Sequence, residues 1–276
     1  MTKAVAGIYH KVGFKSIGSL SDNTAKAQEL VAQGVNHYLA IELSGGHQKN
    51  IDHFDMLDAE GFTMGARFPF NLLNGVTSEQ IEPHAHLNGH PAMSHIFLGH
   101  EVLEAMTQQE RLNTYKLIRT HFPDTPVRTY YGTARALRRP DYRCNSDHPE
   151  GGKWQDYVIV HETPKDDGYG LVIHFQTGSS PSFEDFPGQH PKPSTVSFQN
   201  AKSRIEMTSP WDHQYAVHIN VWDDYTDVDN LVAEMQSLSN AGADWIYLRS
   251  VDADDPSEKA SATQAMKDAI SEFNNG

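Results

Sequence analysis

Short apolar runs alternate along this chain with longer stretches whose apolar residues recur three and four positions apart. The runs are Val5–His10, His37–Leu43, Phe62–Phe68, His95–Gly99, Val127–Tyr131, Tyr157–His161, Ala216–Trp222 and Trp245–Arg249. Runs this short, bounded by polar or turn residues, predict buried strands. Helical spacing follows most of them. Ser21–Gln33 opens on a capping residue, carries Ala25, Ala27, Leu30 and Val31, and stops at Gly34. Ile51–Ala59 predicts a short helix, and Gln108–His121 puts Leu112, Tyr115, Leu117 and Ile118 on one face, with Pro123 just beyond. Val228–Asn240 ends before Gly242, and Ser257–Phe273 predicts a closing helix.

Strand–helix alternation predicts an α/β fold with a parallel sheet. Its repetition predicts a closed (β/α)8 TIM-type barrel, one domain over residues 1–276 with long strand-end loops. Leu171–Phe175 makes a ninth strand candidate: it either pairs as a hairpin with Tyr157–His161 across Pro164–Gly170 or is itself a barrel strand. An open doubly wound sheet is the alternative, without the Gly-rich phosphate turn of its nucleotide-binding versions. Asn71–Met93 and Thr177–Ser194, both interrupted by prolines, predict long irregular loops of the kind that wall binding sites.

Charge narrows the partners. The 22 basic and 36 acidic residues leave a formal charge of -14, which repels phosphate backbones and anionic membranes. The cluster Arg135, Arg138, Arg139 and Arg143 reads as a solvated surface. Cys144 is the single cysteine, so neither a disulfide framework nor a cysteine zinc cluster can form within one chain. No apolar run reaches the ~18 residues of a membrane span, and Met1–Val12 lacks the pattern of a signal peptide. The expectation is a soluble chain, cytoplasmic or secreted with its leader removed, whose oligomeric state stays open.

In a parallel barrel, chemistry belongs where the strands end. Those ends carry His10, Glu42, Arg67, His100 with Glu101, Tyr130 with Tyr131, His161 with Glu162, Asn220 with Trp222, and Arg249 with Asp252. Glu101 and Glu162 form the leading catalytic pair. One carboxyl group, kept protonated, would donate to a leaving group while the other acts as nucleophile or base. Trp222 and Tyr131 offer flat faces to a sugar ring, and Arg67 and Arg249 would bind a carboxylated sugar or hold the two glutamates.

The segment Phe97-Leu98-Gly99-His100-Glu101-Val102, followed by Arg111–Phe122 and Pro123-Asp124-Thr125-Pro126-Val127, resembles the fourth-strand region of (β/α)8 glycoside hydrolases. Tyr157–Glu162 is similar to their sixth-strand region. The resemblance spans roughly a third of the chain and implies a carbohydrate-active enzyme with Glu101 as acid/base. His100 stands where the family usually has asparagine, and Ile219-Asn220-Val221-Trp222-Asp223 lacks the glutamate that many relatives place after the seventh strand.

The expected activity is hydrolysis of a glycosidic bond in an oligo- or polysaccharide. Glu101 would protonate the departing oxygen and Glu162 would act as nucleophile or as base for water. His10, Glu42, Arg67, His100, Tyr131, His161, Asn220, Trp222, Arg249 and Asp252 would line the cleft. No cofactor and no metal are assigned. One alternative is a metal-dependent sugar isomerase or epimerase built on Glu101, Glu162, His218 and Asp252; another is a non-catalytic carbohydrate-binding barrel. His84-x-His86-x-x-x-His90 has ligand-like spacing without an acidic partner beside it, and reads as hydrogen-bonding histidines. No Gly-x-Ser-x-Gly elbow or phosphate loop is present.

Overall fold

A computed structural model describes residues 3–8, 14, 16–69, 76–97, 108–130, 172–178, 198–199, 202–203, 214–221, 227–250 and 256–276. Of residues 108–112, 115, 128–130, 172–178, 214, 218, 220, 249–250 and 256–262 it describes the backbone alone. Eight strands form the centre: β1 (Val5–Ile8), β2 (His37–Glu42), β3 (Thr63–Arg67), β4 (Met93–Phe97), β5 (Val127–Tyr130), β6 (Val172–Gly178), β7 (Gln214–Val221) and β8 (Trp245–Ser250). Each pairs in parallel with the next, and β8 returns to β1 with Val5 opposite Trp245 and Ile8 opposite Leu248, so the sheet closes on itself.

The helices are α1 (Leu20–Ala32), α2 (His47–Ala59), α3 (Ser78–Ile81) continued by a 3-10 helix (Glu82–Leu87), α4 (Gln108–His121), α5 (Val228–Asn240) and α6 (Pro256–Asn275). Helices α5 and α6 pack on each other and on β8, and α6 also covers β1. The residues between β5 and β6 lie outside the described ones, and before β7 short helical stretches at 198–199 and 202–203 are described.

Several boundaries move for identifiable reasons. The N-cap of α1 is Ser19, not Ser21, and Ser21 sits inside the first turn. Helix α2 begins a turn before Ile51, at His47, because Gly46 in extended backbone starts it. Strand β4 starts at Met93, two residues ahead of His95. The predicted loop Asn71–Met93 contains α3, whose Thr77 and Gln80 make a reciprocal capping box, and the 3-10 helix opened by Pro83. Gly34 and Gly242 end α1 and α5 with φ of 76° and 93°, as their positions predict.

The largest correction concerns the sixth strand. Val172–Gly178 pairs with β5 on one side, Arg128 opposite Val172, and with β7 on the other, Ile173 opposite Tyr215. The ninth candidate is therefore a true barrel strand and takes the place assigned to Tyr157–His161, a segment that lies outside the described residues. Short apolar runs of this kind look alike in sequence, which is why periodicity alone left the two exchangeable.

Two apolar layers result. Between strands and helices lies a continuous seam that includes Ile8, Leu30, Tyr38, Phe54, Phe62, Met64, Ile96, Phe122, Val217, Met235, Leu248 and Phe273, all at or below 5% exposure. Inside the ring a second, much smaller cluster joins Leu39, Phe97, Ala216 and Tyr247 from β2, β4, β7 and β8. Residues from these separated strands can meet only across the barrel interior.

Candidate functional site

The interior face follows from strand alternation. On β3, Met64 and Ala66 belong to the outer seam, so Gly65 and Arg67 face inward. A Cβ on Gly65 would overlap the Leu39 carbonyl and the His95 ring; only glycine lets these three strands approach so closely. On β2 the count is broken by a register shift against β3 between Tyr38 and Ile41. Tyr38, Ile41 and Leu43 all join the seam, whereas Leu39 belongs to the interior cluster. The extra residue thereby returns Glu42 to the interior face at the carboxyl end of its strand.

Glu42 and Arg67 stand opposite each other as the last residues of β2 and β3. The Arg67 guanidinium donates to Glu42 Oε2 at 3.1 Å, with side chains 41% and 55% exposed. So open an ion pair adds little to stability. It presents a donor fork and an acceptor side by side at the barrel mouth. Arg67 thus pairs with Glu42. Beyond Glu42, the Ser44 amide and hydroxyl both donate to Asn50 Oδ1, at 2.9 and 3.0 Å, which ties the β2–α2 loop down onto α2.

Of the other expected site residues, Asn220 and Arg249 stand opposite each other near the ends of β7 and β8. His10, His100, Glu101, Tyr131, His161, Glu162, Trp222 and Asp252 lie outside the described residues. Glu101 follows the last residue of β4 by four positions, and Tyr131 and Trp222 follow β5 and β7 directly. The reassignment of β6 removes the strand end on which His161 and Glu162 were expected; both belong to the β5–β6 connection instead.

Deeper in the barrel, sequence inspection missed a polar network. His37 Nδ1 lies 2.7 Å from Thr63 Oγ1, and its Nε2 lies 2.7 Å from the Tyr247 hydroxyl. Thr63 donates onward to the Asn36 carbonyl at 3.4 Å. The chain of donors fits an imidazole protonated at Nδ1, with Tyr247 donating to Nε2. The signal was present: His37 and Leu39 share parity on β2, so a buried strand carries a histidine on its interior face, where it needs partners.

The spaced histidines of 84–90 take separate partners. His84 Nδ1 meets Asn50 Nδ2 at 3.3 Å, His86 Nδ1 donates to the Pro83 carbonyl at 3.0 Å, and His90 Nε2 pairs with Asp55 at 3.2 Å. Among the described residues no group of three histidine, cysteine or acidic side chains is arranged to hold a metal ion. Nor is any described helix long and apolar enough to cross a membrane.

No protein-family model and no curated protein sequence matches the chain. Solved structures do. An endo-beta-1,4-glucanase from Xanthomonas axonopodis pv. citri aligns over 96% of this chain and 99% of its own, with TM-score 0.57 and 10% identity. XacCel5A in complex with cellopentaose aligns over 95% and 99%, with TM-score 0.54 and 9% identity. Gas2p of Saccharomyces cerevisiae, in complex with laminaritetraose and laminaripentaose, aligns over 95% of this chain and 63% of its own, with TM-score 0.51 and 10% identity. At such identities the likeness is one of fold: the chain is an α/β protein of the TIM-barrel type, and its resemblance to (β/α)8 glycoside hydrolases holds at that level without assigning a family.

Proposed function

We propose that the chain is a single-domain (β/α)8 glycoside hydrolase that cleaves a glycosidic bond in an oligo- or polysaccharide. The observation that carries this reading is the position of Glu101. In the sequence it follows the last residue of β4 by four positions, in a chain whose fold is shared with proteins solved in complex with cellopentaose and laminari-oligosaccharides. A carboxylic acid there, raised in pKa by an apolar setting or a like-charged neighbour, protonates the leaving oxygen as the bond breaks. Glu162, from the long β5–β6 connection, is the proposed second carboxylate, acting as nucleophile or as base for water. Glu42 and Arg67 would accept from and donate to sugar hydroxyls, Asn220 and Arg249 would serve the opposite wall, and Tyr131 and Trp222 would pack against ring faces. His10, His100, His161 and Asp252 complete the proposed lining.

The test is a panel of soluble oligo- and polysaccharides, with products detected by mass. Glu101→Gln keeps shape and removes the transferable proton, and turnover should fall about 10²- to 10⁴-fold. Undiminished turnover in that variant would take Glu101 out of the mechanism. Glu162→Gln should be equally crippling; if it is fully active while Glu101→Gln is not, the second carboxylate lies elsewhere, and Glu42 is the next to replace. Product formation that persists in chelator separates hydrolysis from metal-dependent isomerisation.

A further inference from the structure

Away from the barrel mouth, imidazoles gather where the 3-10 helix lies against the start of α2. The ring of His47, the first residue of α2, meets the ring of His86 with centroids 3.6 Å apart and planes tilted by 45°. Both rings point Nδ1 at one acceptor, the Pro83 carbonyl, at 3.4 and 3.0 Å. Each therefore spends its single neutral-state proton on that oxygen, and a second proton must go to Nε2. On His86 that atom is buried and has no hydrogen-bond partner. Protonation of His86 would place an N–H where no acceptor waits among the described residues.

No nearby carboxylate relieves this. The titratable neighbours on α2 are Lys49, Asp52, His53 and Asp55; those on the 3-10 helix and the turn after it are Glu82, His84 and His90. Asp52 is held by Gln48 at 2.7 Å and Asp55 by His90 at 3.2 Å. Among the described residues, no acid pairs with His47 or His86. Burial, and then the charge of His47, hold His86 below the usual imidazole range. Burial, and then the charges of His86 and His47, lower His84 too.

We propose that the contact of His86 with His47 is an acid-released latch: with His86 neutral it fastens the 3-10 helix to α2, and with His86 protonated it opens that seam. The opening has a route to the barrel mouth. Asn50, on the first turn of α2, contacts His84 and also holds Ser44 by its amide and hydroxyl, two residues beyond Glu42. Loosening the seam at pH values where imidazoles charge would free the loop that follows Glu42. The latch does not depend on which reaction the barrel performs.

Hydrogen exchange on the full chain, corrected for the intrinsic pH dependence of exchange, reads it directly. Between pH 7.5 and 5.5, protection of the peptides covering 82–90 should fall by about tenfold for each pH unit per proton taken up on opening, while β2 and β8 keep theirs. His86→Gln stays neutral throughout and should reduce that pH dependence, leaving only the share that belongs to His84. His47→Gln, an exposed position that folding tolerates, should weaken the response by less, because the burial of His86 remains. Constant protection in the unaltered chain, or a full acid response surviving in both variants, would overturn the proposal. So would a response that vanishes in His53→Leu, because it would belong to the core beneath α2.

Discussion

The space inside the ring of strands and the seam around it are built from different chemistry. The seam is a continuous apolar layer contributed by nearly every strand and helix that is described. The interior has a short apolar core, Leu39, Phe97, Ala216 and Tyr247, set among His37, His95, Thr63 and Gly65. Burying a large apolar side chain contributes about 1.5–3 kcal/mol, whereas a hydrogen bond nets about 0.5–1.5 kcal/mol. Stability is therefore concentrated in the seam. The interior holds groups that must be paired, and pairing fixes geometry beneath the mouth more than it adds free energy.

That contrast can be broken at its strongest point first. Phe54, fully buried from α2 into the seam, should cost about 3–5 kcal/mol when replaced by alanine. Urea unfolding would measure this, and a loss below about 1 kcal/mol would mean the seam does not carry the fold. The second probe is the seam's own exception. His53 is fully buried there, and among the described residues neither ring nitrogen has a hydrogen-bond partner. Burial pushes it down to about 4. An unfolded chain takes up this proton near pH 6.5 and the folded chain only near 4, so the folded state loses stability as pH falls across that window and levels off below it. The loss amounts to about 3 kcal/mol. His53→Leu should flatten stability between pH 7 and 4, and an unchanged slope would assign the acid sensitivity elsewhere. The smallest effect belongs to the interior. Tyr247→Phe leaves His37 Nε2 without its 2.7 Å donor and should cost about 1–3 kcal/mol, with far-UV dichroism unchanged.

The seam was legible in the sequence and the interior was not. Period-two and period-3.6 patterns report which residues avoid water, so Val228–Asn240 and Gln108–His121 emerge with the predicted limits. The same patterns do not report which strand neighbours which. Tyr157–His161 and Val172–Gly178 look alike as apolar runs, and only the pairing of Arg128 with Val172 distinguishes them. The site was read from strand ends, a rule that found Glu42 and Arg67 as facing neighbours. It could not find the His37–Thr63–Tyr247 network, because those three residues sit far apart in the sequence and within or at the start of strands rather than at their ends. Nor could spacing foresee that His47, outside the 84–90 triplet, would be the partner of His86.

The slipped register between Tyr38 and Ile41 carries a consequence for how this rim can change. A barrel strand assigns its residues by odd and even count, and one surplus residue resets the parity of everything downstream. Removing Ala40 would take out that surplus residue while Ile41 still faced the helices and Glu42 still stood opposite Arg67, so the strand would regain strict alternation with its charged rim in place. A single-codon deletion would thus straighten the strand and leave the wall of the cleft as it stands.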